Sequence, residues 1–549
     1  MTSSNFKRLR GLCILWLILV TVLLPACLTP EEAIAEVDLE AYEIVGDKQE
    51  ALYGARRPFR IDPGQHRIMV TVVDPETGMV REGATLALDL ATVLEVAAVN
   101  SRSFQDQKEL LYQAALGLMR EREDFHNSPF AGVGADVASG STGETLGADA
   151  QFGINKMIER GGSYALSLGL DFLRFVSSPT STSNFSSLLN LNITLPFLRN
   201  AGREIAYENL VQADRDALYA MRNFERFKQT YGVSVVTQYL RVLAQSERIA
   251  IAEANYKNLQ IARAEVEERF EVGRVSRVEV DQNKQAELSG EVGVVNAKLG
   301  FESSLDSLKD FLGLPVDLEV TIRKEDRQML DALVAEAFDV EGKRAMSVAF
   351  ESRLDFRNVV DGVADAGRRV HAAENGILPD LTLDLNARPV SKTLNPLKYN
   401  YQDGTYSAAF DMDLALDRHL ESISLRQAVI NLDVALRNQE DAREGIKLDV
   451  RTALRSLLQA RENHRIANVA VELARKRVSD TRDLQREGRA TTRDFLESQD
   501  ALVRLENDLV DRTVDYRIAF LDLFRDTGAL VVSAEGLNHE VSRKLLSGE

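Results

Sequence analysis

Residues 270–284 read FEVGRVSRVEVDQNK, and residues 485–499 read QREGRATTRDFLESQ. In both stretches a glycine is followed directly by arginine, then by serine or threonine at the third position and an acid at the sixth. Long, helix-like and glycine-poor sequence flanks each stretch. Each therefore predicts a turn between two helices, and we infer that the chain contains the same turn twice.

The helices that lead into these turns are unusually long. Residues 200 to about 268 contain no proline and two glycines, and the stretch from about 419 to 484 is similar. Apolar residues recur there every three or four positions, as Leu210, Ala213, Ala217, Ala220, Phe224, Phe227 and Tyr231, and as Ile446, Val450, Ala453, Leu457 and Ala460. Heptad spacing with small residues predicts closely packed helices, each roughly 100 Å long at 1.5 Å per residue. Shorter helical runs follow the turns, at about 275–312 and 490–527.

Four segments alternate large apolar residues with small polar or acidic ones. They are YALSLGLDFLRF (164–175), LLNLNITLPF (188–197), DLTLDLN (380–386) and AAFDMDLAL (408–416). A strand needs this alternation when one face meets lipid and the other meets water. The alternative is a soluble sandwich with one buried face, but four such strands beside very long helices favour the membrane. The candidate water-facing residues are Asp171, Asn190, Asn192, Asp380, Asp384, Asp411 and Asp413.

The order strand, strand, long helix, glycine turn and returning helix occurs twice, which predicts an internal repeat. Four lipid-facing strands are too few to close a barrel, and open strand edges in lipid leave backbone groups unsatisfied. The chain is therefore expected to associate with copies of itself. Two copies would give eight strands and a filled interior, whereas three would give twelve and an aqueous pore. The water-facing acids favour three copies.

The amino terminus predicts a signal peptide over residues 1–26, since a basic start precedes an apolar run too short to span a bilayer. The run ends in LPAC (24–27), which resembles a lipobox and makes Cys27 the candidate lipidation site. Cleavage after AIA (33–35) is the alternative. Because Cys13 and Cys27 both lie in or at the edge of this leader, we expect no disulfide or thiol chemistry in the mature chain.

The formal net charge of −18 makes nucleic acid an unfavourable partner, because neutralising phosphate requires clustered lysine and arginine. Residues 36–82 give no indication of their role. Residues from about 84 to 125 are helical in period, and residues 127–163, rich in glycine, serine and threonine, predict a loop or short strands.

The repeated layout, the lipobox and the G-x-x-[ST]-x-x-[DE] turns resemble the TolC family of outer-membrane efflux channels, over about residues 84–530. The resemblance implies a mainly α-helical homotrimer. Its parts would be a twelve-stranded β-barrel in the outer membrane, a twelve-helix α-barrel through the periplasm of a Gram-negative type bacterium, and an equatorial belt from residues 313–345 and the carboxyl end. It also implies a passive conduit of a tripartite efflux or type I secretion system, without catalysis or cofactor. The implied partners are a periplasmic adaptor protein and an inner-membrane pump.

On this basis the chain divides into five parts. They are the signal peptide (1–26), an amino-terminal segment of unknown role (27–83), a first repeat (84–330) with strands at about 164–175 and 188–197, a second repeat (331–530) with strands at about 380–390 and 407–416, and a carboxyl-terminal tail (531–549).

The resemblance assigns functional residues at the two turns. The adaptor-contacting tips would be Val272, Gly273, Arg274, Glu487, Gly488 and Arg489, and the periplasmic entrance acids would be Glu279, Asp494 and Glu497. Asp494 and Glu497 are three residues apart and share a helix face, so three chains would stack two acidic rings. The alternative is that they are solvated charges on the outside of the tip.

The chain departs from the family pattern at one point. In well-known members, a tyrosine three residues before the second glycine and an arginine two after it hold the acid of the first turn. Those positions are Gln485 and Ala490 here, so we expect Arg489 or Arg493 to substitute, or closure to be weaker.

Enzymatic chemistry has little support in the sequence. The six histidines show no metal-ligand spacing, and GVGADVASG (132–140) leads into no apolar helix and carries no lysine, so it is not a phosphate-binding loop. The alternative function is a lipid-anchored periplasmic coiled-coil adaptor or scaffold, which would need no lipid-facing strands. The sequence does not indicate the exported cargo.

Overall fold

The structure is a computed structural model that describes residues 29–61, 85–140, 143–175, 183–323, 340–391, 399–414, 416–533, 536–538 and 546. The predicted signal peptide and Cys27 lie outside these residues. The chain divides into two compact units. The first unit contains Met1–Arg60, Leu110–Met221 and Arg368–Arg426, and the second contains Ile61–Glu109, Arg222–Gly367 and Gln427–Glu549.

The described chain is mostly helical. In chain order its elements are α1 (Pro30–Tyr53), β1 (Thr85–Leu88), α2 (Leu90–Asn100), α3 (Arg102–Glu123), β2 (Ser128–Gly140), β3 (Gly143–Met157), β4 (Ser163–Phe175), β5 (Ser183–Pro196), α4 (Arg203–Ala206), α5 (Glu208–Glu271), α6 (Arg277–Phe311), β6 (Glu319–Ile322), α7 (Gly342–Ser352), α8 (Leu354–Gly376), β7 (Asp380–Ser391), β8 (Asn400–Asp413), α9 (His419–Arg486), α10 (Thr492–Asp526), β9 (Val531–Ser533) and β10 (Gly536–Asn538).

The long helices predicted from the apolar period are confirmed. Helices α5 and α9 contain 64 and 68 residues, and the returning helices α6 and α10 contain 35 each. Helices α5 and α6 approach closely at Gly290, where a Cβ atom would lie 2.8 Å from the Cδ1 atom of Leu259. A small residue at this position therefore permits the packing.

The first unit contains an antiparallel sheet in which the described strands follow the order β2-β3-β4-β5-β7-β8. Four of these strands, β4, β5, β7 and β8, are those predicted from alternation. The other two correct the prediction that residues 127–163 form a loop or short strands, because β2 and β3 contain 13 and 15 residues. Their alternation was hidden because glycine, alanine and serine stand where larger side chains stand in the other strands.

The register divides the sheet into an apolar and a polar face. On one face Leu383 pairs with both Leu195 and Phe410. On the other, Asp384 pairs with Thr194, whose hydroxyl donates a 2.6 Å hydrogen bond to the Asp384 Oδ1 atom. Since successive residues of a strand point to opposite faces, a register slip of one residue would exchange the two faces.

Helix α1 shows that part of the segment of unknown role is folded. Thr29 and Glu32 form a capping box at its start, and Gly54 ends it with φ of 70°. Within the first unit, Lys48 pairs with Asp214 at 2.6 Å, and the Tyr112 hydroxyl donates a hydrogen bond to an Asp38 carboxylate oxygen. These contacts attach α1 to α3 and to the start of α5.

The second unit has a core built from helices that are distant in sequence. Buried residues of α7, α9 and α10 form one cluster, which includes Ala345, Ala349, Val450, Leu457, Leu523 and Phe524. Strand β6 pairs in parallel with β1, and β9 pairs with β10. Residues 324–339, which belong to the predicted equatorial belt, lie outside the described part of the chain.

None of the helices in the described ranges combines the length and the apolar character that a membrane-spanning helix requires.

Candidate functional site at the helical turns

The first turn joins α5 to α6 through Gly273. This glycine has φ of 75°, and the backbone amides of Gly273 and Arg274 donate 2.9 Å hydrogen bonds to the carbonyl oxygens of Phe270 and Arg269. A Cβ atom at Gly273 would meet nothing within 4 Å, so the left-handed backbone, and not lack of space, requires glycine here. Ser276 then caps α6 by accepting a 3.4 Å hydrogen bond from the backbone amide of Glu279.

The second turn has the same construction. Gly488 has φ of 77°, and the Arg489 amide donates a 2.8 Å hydrogen bond to the Leu484 carbonyl oxygen. Thr491 begins α10 in a capping box with Asp494: the Thr491 amide and hydroxyl donate to Asp494 Oδ2 at 2.9 and 2.6 Å. The repeated motif is therefore a helix stop followed by a helix start. The serine or threonine three residues before each acid is the sequence signal that could have shown this.

We expect Gly488→Ala to loosen the second turn, because alanine in the left-handed region costs about 1 kcal/mol. Hydrogen exchange of the amides in residues 484–494 should accelerate about fivefold. The matched control is Gly445→Ala in α9, where a Cβ atom also meets nothing within 4 Å but φ is not positive. That change should leave these amides unaffected and slow exchange in α9, since alanine favours the helix. Unchanged exchange in residues 484–494 of Gly488→Ala would contradict the cap.

The predicted entrance acids differ in their partners. The Thr491 hydrogen bonds, from its side chain and then its backbone, hold the pKa of Asp494 below its usual value. Glu497, one turn further along α10, lies 3.7 Å from the Arg477 guanidinium of α9. Glu279 is half-buried and Asp494 is exposed. Capping of α10 therefore explains why an acid stands at position 494. The charge of Glu497 is partly neutralised by Arg477 of α9.

Arginines of α9 bind the last turns of α5 beside the two turns. Arg482 and Arg486 both contact Glu265 Oε1, at 2.7 and 3.2 Å. Burial raises the pKa of Glu265, but the two arginines outweigh it, so the pKa lies below its usual value. Arg269 of α5 donates a 3.1 Å hydrogen bond to the Gln485 carbonyl oxygen. These contacts join the two helical hairpins near their turns, and sequence reasoning did not identify them.

The structure also reports on the departure from the family pattern. The Gln485 side-chain amide donates a 3.2 Å hydrogen bond to the Thr492 hydroxyl, so it lies over the start of α10. Arg489 pairs with Glu487 in its own turn at 3.3 Å. In the single chain Arg489 therefore contacts an acid of its own turn, and the substitution by Arg489 or Arg493, or a weaker closure, stays a prediction.

The predicted water-facing residues all lie on the polar face of the sheet. Asp380 is the register partner of Asp413, Asp411 that of Thr382, and Arg388 donates a 3.1 Å hydrogen bond to the side-chain Oδ1 atom of Asn190. The polar face also holds two acids that the sequence analysis did not single out, Asp136 and Asp149. Both lie in the strands that were not predicted.

The fold of the chain is similar to that of solved outer-membrane channels. The Campylobacter jejuni CmeC outer membrane channel is similar at TM-score 0.58 and 14% identity, over 83% of this chain and 89% of that one. CusC is similar at TM-score 0.58 and 13% identity, over 80% and 92%, and the open state of the Neisseria gonorrhoeae MtrE outer membrane channel at 0.56 and 14%, over 80% and 88%. Neither protein-family models nor curated protein sequences give a match. At these identities the similarity shows the fold, and the resemblance predicted from the sequence is confirmed at that level.

Proposed function

We propose that the chain is an outer-membrane channel that serves as the passive exit conduit of a tripartite efflux or type I secretion system. The observation that carries this proposal is the two-faced sheet, whose described strands contain 12 to 15 residues. A tilted strand of about 9–11 residues crosses a bilayer, so each is long enough. The fold shared with outer-membrane channels supports the same assignment.

The assembly follows from the requirement to close the sheet. Large apolar side chains on one face, such as Phe410 at 70% and Met412 at 53% exposure, are exposed in the single chain. Lipid would cover them, but lipid cannot satisfy the backbone groups at a sheet edge. Three copies closing a barrel, with the repeated helical hairpins forming an α-barrel in the periplasm, meet both requirements. The lumen would then hold the polar face, with Asp171 and Asp384 among its acids.

The helical turns are the proposed contact for a periplasmic adaptor, which would join the conduit to an inner-membrane pump. Val272 is 67% exposed at the first turn, and Glu487 and Arg489 form an exposed pair at the second. The first tip would then offer the adaptor an exposed apolar side chain, and the second an exposed pair of opposite charges. No catalytic role is assigned, in keeping with a fold whose solved examples are channels.

The discriminating experiment is fractionation of the membranes together with gel migration before and after boiling. A channel should be found in the outer membrane as an oligomer that migrates differently when unheated. A lipid-anchored adaptor or scaffold should fractionate with the membrane that holds its lipid anchor. It should migrate identically on the gel with and without heating. The second result would reject the channel in favour of that alternative.

The entrance acids give a test of the periplasmic end. If Asp494 and Glu497 form stacked rings in the trimer, they concentrate negative potential, and divalent or trivalent cations should block conductance from that side. The double change Asp494→Asn and Glu497→Gln should remove the block, while asparagine can still accept the hydrogen bonds from Thr491. Single-channel recording measures the blocking affinity.

The matched control removes two exposed acids elsewhere on the hairpins, by Glu440→Gln and Asp441→Asn in α9. It should leave the block unchanged. If cations block the tip variant and the control with the same affinity, Asp494 and Glu497 are solvated charges outside the pore.

The leader has its own prediction, although it lies outside the described residues. Cys27→Ala should abolish labelling with radioactive palmitate and slow processing of the precursor, because the acylated cysteine would be the new first residue. Cys13→Ala should leave labelling intact. An unlabelled wild-type protein that begins at Glu36 would establish cleavage after Ala35 instead.

A further inference from the structure

Strands β2 and β3 extend the sheet beyond the four strands predicted from the sequence. They follow one another as a hairpin, and β3 pairs with β4 along the whole length of β4, from Thr145↔Phe175 to Met157↔Ser163. Strands of 13 and 15 residues are as long as the strands assigned to the membrane. The hairpin is therefore long enough to cross a bilayer, and it lies in the same sheet.

The apolar face of the sheet continues across this hairpin without a break. Ala131 of β2 pairs with Phe152 of β3, and Phe152 pairs with Leu168 of β4. Two residues further along β2, on the same face, Val133 pairs with Ala150. Val133 is 64% exposed and Val137 of the same strand is 76% exposed. An apolar row of this kind is suited to lipid, and it would be unfavourable on a hairpin standing in water.

The polar face also continues across the hairpin. Asp149 of β3 pairs directly with Asp171 of β4. Two glycines make room for acids: a Cβ atom at Gly134 would collide with Asp149 Oδ1, and one at Gly147 would collide with Asp136 Oδ1. The three aspartates line a groove of about 390 Å³ on this face. Since the acids of all these strands share one face, the hairpin has the polarity that a lumen wall requires.

The two outermost strands can join successive copies. In the described sheet, β2 pairs with β3 and β8 pairs with β7, which leaves one edge of each strand for another partner. Because every pairing is antiparallel, β2 and β8 run in opposite directions. A β8 strand of one copy placed beside β2 of the next would continue the antiparallel order, with the apolar faces on the same side.

We propose that β2 and β3 are part of the barrel wall, and that β2 of each copy pairs with β8 of the next. This inference rests on the proposed function. Three copies of the six described strands then close an 18-stranded barrel, in place of the twelve-stranded barrel that the resemblance implied. Barrels of 16–18 strands leave an aqueous channel, so the outer-membrane part would be wider and would carry the added acids Asp136 and Asp149.

The test is disulfide cross-linking between copies in the native outer membrane. The chain is suited to it because its own cysteines, Cys13 and Cys27, both lie in or at the edge of the leader. One set of variants combines Val133→Cys in β2 with a cysteine at each apolar-face position of β8, namely Tyr406, Ala408, Phe410 and Met412. The comparison set combines Leu168→Cys in β4 with the same β8 positions.

After mild oxidation, the β2–β8 set should contain at least one pair that gives covalent dimers and trimers on a non-reducing gel, and the β4–β8 set should give none. Cross-links from the β4–β8 set would show that β8 meets β4 and that the hairpin lies outside a twelve-stranded barrel, leaving the channel function standing. No cross-link in either scan would also overturn the inference. A wild-type protein that is monomeric in detergent would overturn the proposed function with it.

A second pair of variants tests the hairpin without cross-linking. Ala150→Arg on the apolar face of β3 should lower the yield of outer-membrane oligomer at least tenfold, whereas Gln151→Arg on the polar face should not change it. Equal yields would place the hairpin outside the membrane.

Discussion

Arginine in place of Ala408 is expected to abolish assembly of the chain in the outer membrane, whereas arginine in place of Ala409 is expected to leave assembly intact. The two alanines are neighbours near the middle of β8, and both are exposed in the single chain. Ala408 pairs with Leu385 on the apolar face, and Ala409 pairs with Asp384 on the polar face. The comparison therefore holds residue type, strand and depth constant and changes the face.

The expected size of the effect comes from the lipid. An arginine on the lipid face near the midplane costs about 2–4 kcal/mol, and a trimer would contain three of them. On the polar face the guanidinium remains in water beside a carboxylate. The measurement is the amount of heat-modifiable oligomer in isolated outer membranes. If the two variants assemble equally well, the assignment of the faces is wrong.

The second large effect is expected from Arg353→Met at the junction of α7 and α8. Arg353 is 8% exposed. Its guanidinium donates to Asp355 at 2.7 Å through Nη2 and to Asp449 of α9 at 2.8 Å through Nη1. Methionine would fill much of the space but leave two carboxylates without this partner. Because those carboxylates retain part of their contact with water, the loss of unfolding free energy should be about 2–3 kcal/mol.

The pH dependence gives an independent check on this cluster. Burial raises the pKa of Asp355, but the hydrogen bonds and charge of Arg353 outweigh it, and the pKa lies below the usual value. A carboxyl whose folded pKa is depressed stabilises the protein fully above its unfolded pKa, and this contribution is lost as pH falls through the folded pKa. Wild-type stability should therefore fall more steeply below about pH 4 than that of Arg353→Met.

The control for this prediction is Arg353→Lys, which keeps the charge but cannot bond both acids in the same planar geometry. Its midpoint of thermal unfolding should lie between those of the wild type and Arg353→Met. Equal midpoints for all three proteins would show that the cluster contributes nothing to stability.

The sequence was most informative where side chains differ strongly in size. The ends of α5 and α9 were predicted to within a few residues, except for the start of α5. An apolar period of three to four residues sustained over such a length is typical of a long packed helix. Strands β4 and β7 were found because leucine alternates with serine, threonine or aspartate. In β2 and β3 alanine and glycine occupy many of these positions, so the contrast between the faces is weak, although Leu146, Phe152 and Ile154 fall on one face of β3.

The two glycine turns of the candidate site were located from sequence, but their contacts were not. The glycine and the acid of each turn are close in sequence, so their spacing could be read directly. The partners of the tip region are distant: Arg482 meets Glu265 across 217 positions of the chain. Such a contact depends on how two hairpins pack, and no local pattern specifies it.

The most direct measurement of the central proposal is the conductance of the purified full-length protein in a planar lipid bilayer. A channel whose barrel encloses the polar face should insert in discrete steps and give a steady, ion-conducting state for each inserted oligomer. A protein that is folded, oligomeric and inserted in the bilayer but never conducts would contradict the proposal that this chain is an export conduit.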